Sequence, residues 1–548
     1  MSATDRKDDT DTVKASAQHI EEHGMTHDAK DAAIDAAAQG QTVVGYETLT
    51  VWQTVKTFKV STAVCFAAAL SAATDGYQIG INSSIIANQG FVNKFATAYD
   101  PLGKPYLESP IISGFGTIQS VGQIIGMVTL PFISSRFGRK WALYTLWFIL
   151  ACSILTESLA TAWPHWLVAK LLSGIGVGCM QTTLPTYISE VAPNRIRGGL
   201  LMCYSLWFSL GQFFAIIALQ RMNTLSPLNF RTAILTQWAQ IGLMAIIYLL
   251  IPESPSWCVS VGNSTRAKRE LKKLNRGVKD FNLEQNYQAL VLVAEHEKAV
   301  AIEQKRENWY AIFQGVNGVR TLAASWALVS QQLVGLTLFG TYGTYFFQQA
   351  GLKDPFAITC ITSSLMIATA IVVIFLADPL GRRWIGCGGV TLSWLCCLVI
   401  GILGVTKTVR ASEILFVMFS CLSNVGISAS GAAGWASVGE MSSQRLRPYT
   451  AGFAAALSCV AGVVMNQLVP YMVNENEWNW GYKTGWFYAG IGLPAVAGMW
   501  LLVPETTGRS AAELDELFNN KVRPWRFAKT ETATQRLLKV EASEYLKN

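Results

Sequence analysis

The sequence predicts an all-α integral membrane protein with 12 transmembrane helices in two pseudo-symmetric six-helix bundles. Of the 548 residues, 51% are hydrophobic and only 14% are charged, whereas soluble domains carry about 25% charged residues. Apolar runs long enough to cross about 30 Å of hydrocarbon recur along the chain. Short charged signatures also repeat at one period. A chain with this composition is expected in a bilayer.

Three charged signatures occur twice, in the same order, about 250 residues apart. In the longest, arginines follow a glutamate at five and seven residues, and its two copies start at Glu190 and Glu440. The other pairs are Gly138-Arg139-Lys140 with Gly381-Arg382-Arg383, and Pro252-Glu253-Ser254 with Pro504-Glu505-Thr506. Because chance matches would not keep register, these pairs predict a duplicated unit.

The apolar runs form two sets of six, as the duplication requires. The first set lies near 60–88, 111–133, 141–160, 165–187, 199–220 and 233–252, and the second near 321–348, 356–377, 384–405, 413–436, 449–472 and 484–503. The predicted divisions are a disordered tail at 1–59, a six-helix bundle at 60–252, a linker with short helices at 253–320, a second bundle at 321–503 and a tail at 504–548.

Basic residues are concentrated in the short loops on one side of the predicted bundles. These loops hold Arg136, Arg139, Lys140, Arg195, Arg197, Arg382, Arg383, Arg445 and Arg447. The positive-inside rule places such loops in the cytosol, together with the linker and both termini. The first residues are polar, so we expect no cleavable signal peptide and expect the first span to direct insertion. The distribution of basic residues also argues against a nucleic-acid partner.

The repeated glutamates and arginines predict charge pairs at the cytosolic ends of the spans. The first predicted cluster contains Arg139, Glu190 and Arg197, and the second contains Arg382, Glu440 and Arg447. Such pairs can hold two halves together in one state of an alternating-access protein and release them in the other. The alternative is that these residues only set membrane topology.

Seven motifs in order over residues 60–520 resemble those of the sugar porter family of the major facilitator superfamily. They are Gly138-Arg139-Lys140, Pro185…Glu190…Arg197-Gly198, Pro252-Glu253-Ser254-Pro255, Gln331-Gln332, Gly381-Arg382-Arg383, Glu440…Arg447 and Pro504-Glu505-Thr506-Thr507-Gly508. Residues 338–351 are similar to the seventh span of fungal α-glucoside (maltose-type) permeases. The resemblance implies the major facilitator fold and sugar transport, and it implies neither enzymatic activity nor a cofactor or metal.

The resemblance also implies which residues contact sugar. It assigns Gln331, Gln332, Gln212 and Trp435 to substrate binding, and Thr337 stands where many hexose porters have a sugar-binding amide. Amides suit a sugar because they both donate and accept hydrogen bonds without fixed charge. A buried glutamine that bonds a neighbouring helix is the alternative. Asn466 is a polar residue at membrane depth that could face the cavity, and Tyr342, Tyr345 and Phe346 form either an outer gate or ordinary packing.

The proton-coupling residues depart from the family pattern. Gln78 replaces the aspartate that proton-coupled members usually carry in span 1, and Lys170 replaces the arginine that opens span 4. Asp75 lies three residues earlier than Gln78, on roughly the same helix face. A carboxylate at membrane depth is costly to keep charged, so Asp75 is a candidate proton carrier, with Lys170 as its possible counter-ion. The alternatives are a structural cap or ion pair at Asp75, or uniport with Gln78 in contact with substrate.

The predicted function is secondary transport of a monosaccharide or disaccharide, including α-glucosides, by proton symport across the plasma membrane. The alternatives are a facilitative sugar or polyol uniporter and a transporter-like nutrient sensor. The expected partners are the sugar, a proton and the lipid bilayer. A nucleotide loop and a zinc motif are both absent from the sequence, in agreement with a protein that is not an enzyme.

Overall fold

The computed structural model describes residues 50–530, apart from 101–102, 279–280, 307–308, 407–409, 443–445, 508 and 510. Most of the predicted amino-terminal tail and the last part of the carboxyl-terminal tail lie outside the described residues. The side chains of Glu440 and Arg447 also lie outside the described part. Within it, the structure is almost entirely helical, with one two-residue antiparallel strand pair.

The first half of the chain begins with a short helix that leads into the first span. Its elements are α1 (Val51–Thr57), α2 (Lys59–Leu70), α3 (Ala72–Ile85), α4 (Gln89–Phe95), β1 (Ala98–Tyr99), β2 (Pro105–Tyr106), α5 (Ser109–Phe137), α6 (Arg139–Leu159), α7 (Trp163–Val191), α8 (Arg197–Leu225), α9 (Arg231–Leu235) and α10 (Gln237–Leu250). A 3-10 turn at Asn194–Ile196 joins α7 to α8.

The linker and the second half repeat this pattern after three linker helices. The linker forms α11 (Pro255–Ser260), α12 (Ser264–Leu274) and α13 (Leu283–Arg306). The second half forms α14 (Gly315–Leu333), α15 (Gly343–Gln349), α16 (Pro355–Leu380), α17 (Arg382–Leu403), α18 (Arg410–Met441), α19 (Arg447–Val473), α20 (Thr484–Leu502) and α21 (Ala511–Asn519). Turns of 3-10 helix lie at Trp309–Phe313, Gly481–Lys483 and Pro524–Lys529.

Ten helices of the described residues are long and apolar enough to cross a bilayer. The predicted first and seventh spans complete the two sets of six; the first is interrupted at Ser71, between α2 and α3, and the seventh is broken near Gly335. Before the first span, α1 bends by 98° from the helix that begins at Lys59. In the seventh span, α14 ends at Leu333 and Gly335 adopts a φ of 104°. The chain then continues through a π-turn at Thr337–Thr341 into α15. A glycine allows this conformation, which other residues rarely adopt.

Packing between helices follows the duplication. Within the first half, α5 packs along α7 and α3 along α8, and within the second half α17 packs along α18. Between the halves, α5 packs against α19 and α8 packs against α16. The helices α5 and α16 are the second spans of their halves, and α8 and α19 are the fifth spans. Each second span therefore packs against the fifth span of the other half, as pseudo-symmetry between the halves requires.

One end of the bundles carries repeated basic residues and is called the basic end below. In the first half, Arg139 begins α6 there, and Glu253 accepts hydrogen bonds from the backbone N–H groups of Arg139 (2.9 Å) and Lys140 (3.1 Å). In the second half, Glu505 accepts from the backbone N–H groups of Arg382 (3.0 Å) and Arg383 (3.2 Å). Glu253 therefore caps α6 and Glu505 caps α17, the third membrane span of each half. Such a cap is needed because the first N–H groups of a helix lack partners within it.

Candidate functional site

At the end opposite the basic end, hydrogen bonds join the two halves. Ser84 on α3 meets Thr344 on α15 at 2.8 Å between hydroxyl oxygens, and Gln348 donates to the Ala87 carbonyl at 3.1 Å. Further along, Asn474 donates to the Ser109 hydroxyl at 2.9 Å. These bonds link segments from both halves, so the molecule is closed at this end in the conformation observed.

Tyr342 lies at the centre of this closed end. Its side chain is 3% exposed, and its hydroxyl lies 3.4 Å from the carbonyl oxygens of Ile112 on α5 and Asn466 on α19. Opposite the ring, Gly116 has no side chain, and a Cβ there would lie 2.4 Å from the Tyr342 hydroxyl. The absence of a side chain at Gly116 therefore lets Tyr342 of the second half pack directly against α5 of the first. Tyr345 and Phe346 are buried beside it.

The predicted glutamine pair lies in the seventh span, just before its break. Gln331 is 6% exposed and faces α18, because Cβ atoms at Gly431 and Gly434 would meet its amide. Gln332 faces α19, where a Cβ at Gly462 would lie 3.2 Å from its amide nitrogen. The Thr337 hydroxyl donates to Gln332 Oε1 at 2.9 Å. The glycines thus allow both amides to approach the neighbouring helices closely.

Asn466 connects this region to the first half. Its amide nitrogen donates to the Ser120 hydroxyl at 3.1 Å, and its Oδ1 has no hydrogen-bond partner among the described residues. Asn466 is 7% exposed. A buried amide oxygen without a donor is costly, since it loses its hydrogen bonds to water. Asn466 is therefore available to accept a hydrogen bond from a bound molecule.

The other predicted contact residues are more dispersed. Gln78 on α3 is fully buried, accepts a hydrogen bond from the Ser173 hydroxyl at 3.2 Å and leaves its amide nitrogen without a partner among the described residues. Gln212 lies on α8 where that helix crosses α3, since a Cβ at Gly80 would lie 2.9 Å from the Gln212 carbonyl oxygen. Trp435 on α18 is 59% exposed. Neither Gln212 nor Trp435 is among the residues described above that contact Tyr342 at the closed end.

Asp75 is fully buried inside the first half and has neutral partners. Gln181 donates to its Oδ2 at 3.2 Å, and the Tyr204 hydroxyl donates to the same oxygen at 3.1 Å. Gln123 in turn donates to Gln181 at 2.7 Å. Asp75 Oδ1 accepts no hydrogen bond from the described residues. The carboxyl group is therefore held at one oxygen and left open at the other.

Lys170 is not paired with Asp75 in this conformation. Its Nζ lies 3.0 Å from Glu157 Oε1, with both side chains fully buried, and Glu157 Oε2 accepts from Gln237 at 3.0 Å. The Lys170 ammonium also lies 4.6 Å from the centre of the Trp166 ring. A neutralising carboxylate and a cation–π contact together compensate the burial of this charge. The predicted counter-ion role of Lys170 would require another conformation.

The first predicted gate cluster is partly assembled at the basic end. Arg139 Nη2 lies 2.6 Å from Glu190 Oε1, and its Nε donates to both carboxylate oxygens at 3.1 Å. Arg139 Nη1 also donates to the Ser134 carbonyl at 2.9 Å. The pair joins α6 to α7 within the first half. Arg197, the third predicted member, begins α8 at the same end.

The second predicted gate cluster is described only at Arg382. The Arg382 backbone N–H donates to Glu505 Oε1 at 3.0 Å and to the Thr507 hydroxyl at 3.1 Å. Because the side chains of Glu440 and Arg447 lie outside the described part, their pairing with Arg382 stays a prediction.

Several residues of the site were missed by sequence reasoning. Glu253 and Glu505 belong to a repeated motif, and the repeat itself could have indicated a shared capping role. Tyr204 and Gln181 lie on helices far along the chain from Asp75, and neither position carries a signal that marks the contact. Glu157 is an acidic residue near the end of a span, and such a residue commonly has a buried partner.

The family is decided by a comparison over most of the chain. The sequence profile of the family described as Sugar (and other) transporter matches residues 64–518. The chain belongs to this family. Like the other members it is a multi-pass membrane transporter and not an enzyme. The resemblance to sugar porters in the sequence motifs is therefore confirmed.

Three relatives of the transporter are fungal proteins that align with it over most of their length. An MFS transporter of Aspergillus fumigatus, fmqE, is 28% identical over 91% of this chain and 94% of its own. The general alpha-glucoside permease of Saccharomyces cerevisiae is 29% identical over 83% of this chain and 75% of its own. A high-affinity gluconate transporter of Schizosaccharomyces pombe, ght3, is 27% identical over 82% of each chain.

Solved structures share the fold of the transporter. The inward open conformation of the Escherichia coli xylose transporter XylE superposes with a TM-score of 0.67, at 21% identity, over 83% of this chain and 99% of the other. At this identity the similarity shows the fold alone. The predicted all-α fold of the major facilitator superfamily is confirmed.

Proposed function

We propose that the transporter moves an uncharged sugar, either a monosaccharide or a disaccharide such as an α-glucoside, by alternating access. The observation that carries this proposal is the group of neutral polar side chains on the seventh span and on α19: Gln331, Gln332, Thr337 and Asn466, of which Asn466 donates to Ser120 of the first half. Amides and hydroxyls of this kind bind the hydroxyl groups of sugars without selecting a charge. The alpha-glucoside permease among the relatives supports the same substrate class.

We further propose that the basic end faces the cytosol. Arg139, Lys140, Arg382 and Arg383 lie at that end, and the positive-inside rule favours the cytosolic side for such short loops. Both termini are then cytosolic, and the plasma membrane is the proposed location. With this orientation, the closed end around Tyr342 faces outward, so the observed conformation is one in which the outer entrance is shut.

The sugar proposal is tested by uptake in yeast cells that lack their own sugar carriers. Cells that express the transporter should take up labelled glucose or maltose at least tenfold faster than cells with an empty vector. Competition by a panel of monosaccharides, disaccharides and polyols then defines the substrate. If gluconate competes fully and no neutral sugar competes at all, the proposal of an uncharged substrate is wrong.

Proton coupling is proposed to run through Asp75. Its carboxyl group is buried, has no cationic partner among the described residues, and is held through one oxygen by Gln181 and Tyr204. Such a group can bind a proton in one state and release it in another, because burial disfavours an unpaired charge. Asp75 Oδ1 accepts no hydrogen bond from the described residues, so this oxygen is free to take up the proton.

Asp75→Asn should convert uphill accumulation into simple equilibration. Asparagine keeps the shape and hydrogen-bonding capacity of the side chain but cannot carry the proton. The measurement is the ratio of internal to external labelled sugar at steady state, with and without an uncoupler. Asp354→Asn is a suitable control, since Asp354 is exposed at the start of α16. Full accumulation by Asp75→Asn would exclude Asp75 as the proton site.

Facilitative uniport of a sugar or polyol is the second candidate function. It is favoured by Gln78, which cannot titrate and stands where proton-coupled members usually carry an aspartate. Gln78 also has an unpartnered amide nitrogen that could bind substrate. Uniport predicts that an uncoupler leaves uptake unchanged in the native protein. A nutrient sensor, the other alternative, predicts signalling without measurable uptake.

A further inference from the structure

A second site lies outside the pathway between the halves, at the basic end of the first bundle. A cavity of about 390 Å³ lies between the ends of α2, α6 and α10 and the linker helix α12. One part of its wall is charged and another part is apolar. It is lined by Val60, Val64, Lys140, Leu249, Leu250, Ile251, Pro252, Glu253, Arg266, Arg269, Glu270 and Lys273.

The charged part of this cavity has an excess of positive charge. Its four basic side chains are Lys140, Arg266, Arg269 and Lys273, and its two acidic side chains are Glu253 and Glu270. Arg269 and Lys273 share Glu270, at 3.2 Å and 2.9 Å. Their side chains remain 66% and 55% exposed. Both therefore keep donors free to contact a further anion.

Glu253, one of the two acidic residues of the cavity, contributes little to neutralising the basic side chains. The Glu253 carboxylate is almost fully buried and accepts from the backbone N–H groups of Arg139, Lys140 and Ser254. Its contact with Arg266 is long, at 3.7 Å. Because Glu253 is engaged in capping α6, the net charge of the cavity favours an anionic group such as a phosphate.

The apolar part of the cavity lies at the end of a membrane span. Leu249 and Leu250 end α10, where they are 65% and 78% exposed, and Val60 and Val64 face the same cavity from α2. Nearby in the chain, α1 turns by 98° from the first span and exposes Trp52, as a helix lying in the membrane interface would. The apolar wall is thus placed at the depth where hydrocarbon begins.

We propose that this cavity binds the headgroup of an anionic phospholipid from the leaflet at the basic end. Its phosphate would contact Arg269, Lys273 and Lys140, and its acyl chains would cover Leu249 and Leu250. A free anion would satisfy the charges but leave the leucines uncovered. With the orientation proposed above this leaflet is cytosolic, where anionic lipids are enriched and basic pockets between helices bind their headgroups.

Native mass spectrometry of the full chain, purified in detergent, tests this proposal with two lipids. Dioleoylphosphatidylserine should bind as one tightly retained copy, and dioleoylphosphatidylcholine should bind at least tenfold more weakly. The double variant Arg269→Gln/Lys273→Gln should weaken binding of phosphatidylserine about thirtyfold, since each basic side chain near an anionic headgroup contributes roughly a fivefold factor. Because the buried Glu270 loses both cations in the double variant, its melting temperature is compared with that of the native chain; Arg269→Gln alone, which keeps Lys273 beside Glu270, should weaken binding about fivefold.

Lys272→Gln is the matched control, because Lys272 is an exposed lysine on the same helix that does not line the cavity. It should bind phosphatidylserine within twofold of the native chain. Equal retention of the two lipids, or equal losses in the control and the double variant, would overturn the proposal. Displacement of the lipid by millimolar inorganic phosphate would identify a simple anion site and also reject a lipid site.

Discussion

At the scale of single residues, the glutamine pair gives the most direct test of the substrate site. Gln331→Ala should raise the apparent KM for sugar, because the variant loses an amide that can both donate to and accept from a hydroxyl. Loss of one neutral hydrogen bond is worth about 1 kcal/mol, so a rise of roughly fivefold is expected from concentration-dependent uptake. Gln89→Ala, at an exposed position on α4, should leave the apparent KM unchanged.

An unchanged apparent KM in Gln331→Ala would assign this side chain to helix packing. Gln331 lies against Gly431 and Gly434 of α18, so the same amide could simply fill the space between the helices. In that case the maximal rate or the expression level of the Gln331→Ala variant would fall while the apparent KM stayed the same.

The buried pair of Lys170 and Glu157 should be important for stability. Glu157→Gln or Lys170→Met alone leaves an uncompensated charge at a fully buried position, and such changes cost about 3–5 kcal/mol. The double variant removes both charges and should recover most of that loss. Thermal melting of the purified transporter measures all three. Equal destabilisation by the double and single variants would show that the pair is not the source of the effect.

These residues also show where prediction from sequence stops. Asp75, Gln331 and Asn466 were identifiable because polar side chains at membrane depth are rare and costly. Their partners were not, since Tyr204 lies 129 residues from Asp75 and reaches it only through the crossing of α3 and α8. Lys170 was a reasonable counter-ion for Asp75 from its position alone, but Glu157 competes for it from the neighbouring span.

At the scale of helices, the repeated glutamates should contribute equally to both halves. Glu253→Ala and Glu505→Ala each remove acceptors from the first backbone N–H groups of α6 and α17. Helix caps and hydrogen bonds to charged acceptors are worth about 1–3 kcal/mol, so each variant should lower the melting temperature by a similar amount. Glu295→Ala, at an exposed position on α13, is the control. A large effect at one site alone would contradict their equivalence.

Element positions followed well from the sequence because hydrophobic length and charged loops determine them. The repeated Gly-Arg signatures predicted that α6 and α17 begin at equivalent positions of the two halves. In the structure these helices begin at Arg139 and Arg382. The break in the seventh span was not foreseen. Its apolar run is continuous, and a positive φ at Gly335 followed by a π-turn depends on packing that periodicity does not report.

At the scale of the whole molecule, closure of one end involves specific hydrogen bonds between the halves. The hydrogen bonds between the halves described above lie toward the end opposite the repeated arginines, where Ser84, Ser109 and Ile112 meet the second half. Opening that end requires these bonds to break together. A transporter that alternates should therefore respond strongly to a change where α5 of the first half packs against Tyr342 of the second.

Gly116 lies at this contact, and Gly116→Val should hold the outer end open. A Cβ at Gly116 would overlap the Tyr342 hydroxyl and lie 3.2 Å from Asn466 Oδ1, so a valine requires either displacement of the buried Tyr342 side chain or separation of α5 from the second half. Uptake should fall at least tenfold, and hydrogen–deuterium exchange in α15 should rise. Gly114→Val is the matched control, since a Cβ there meets only Leu167 at an ordinary 3.7 Å. If both variants transport normally and α15 stays protected, closure does not depend on this contact.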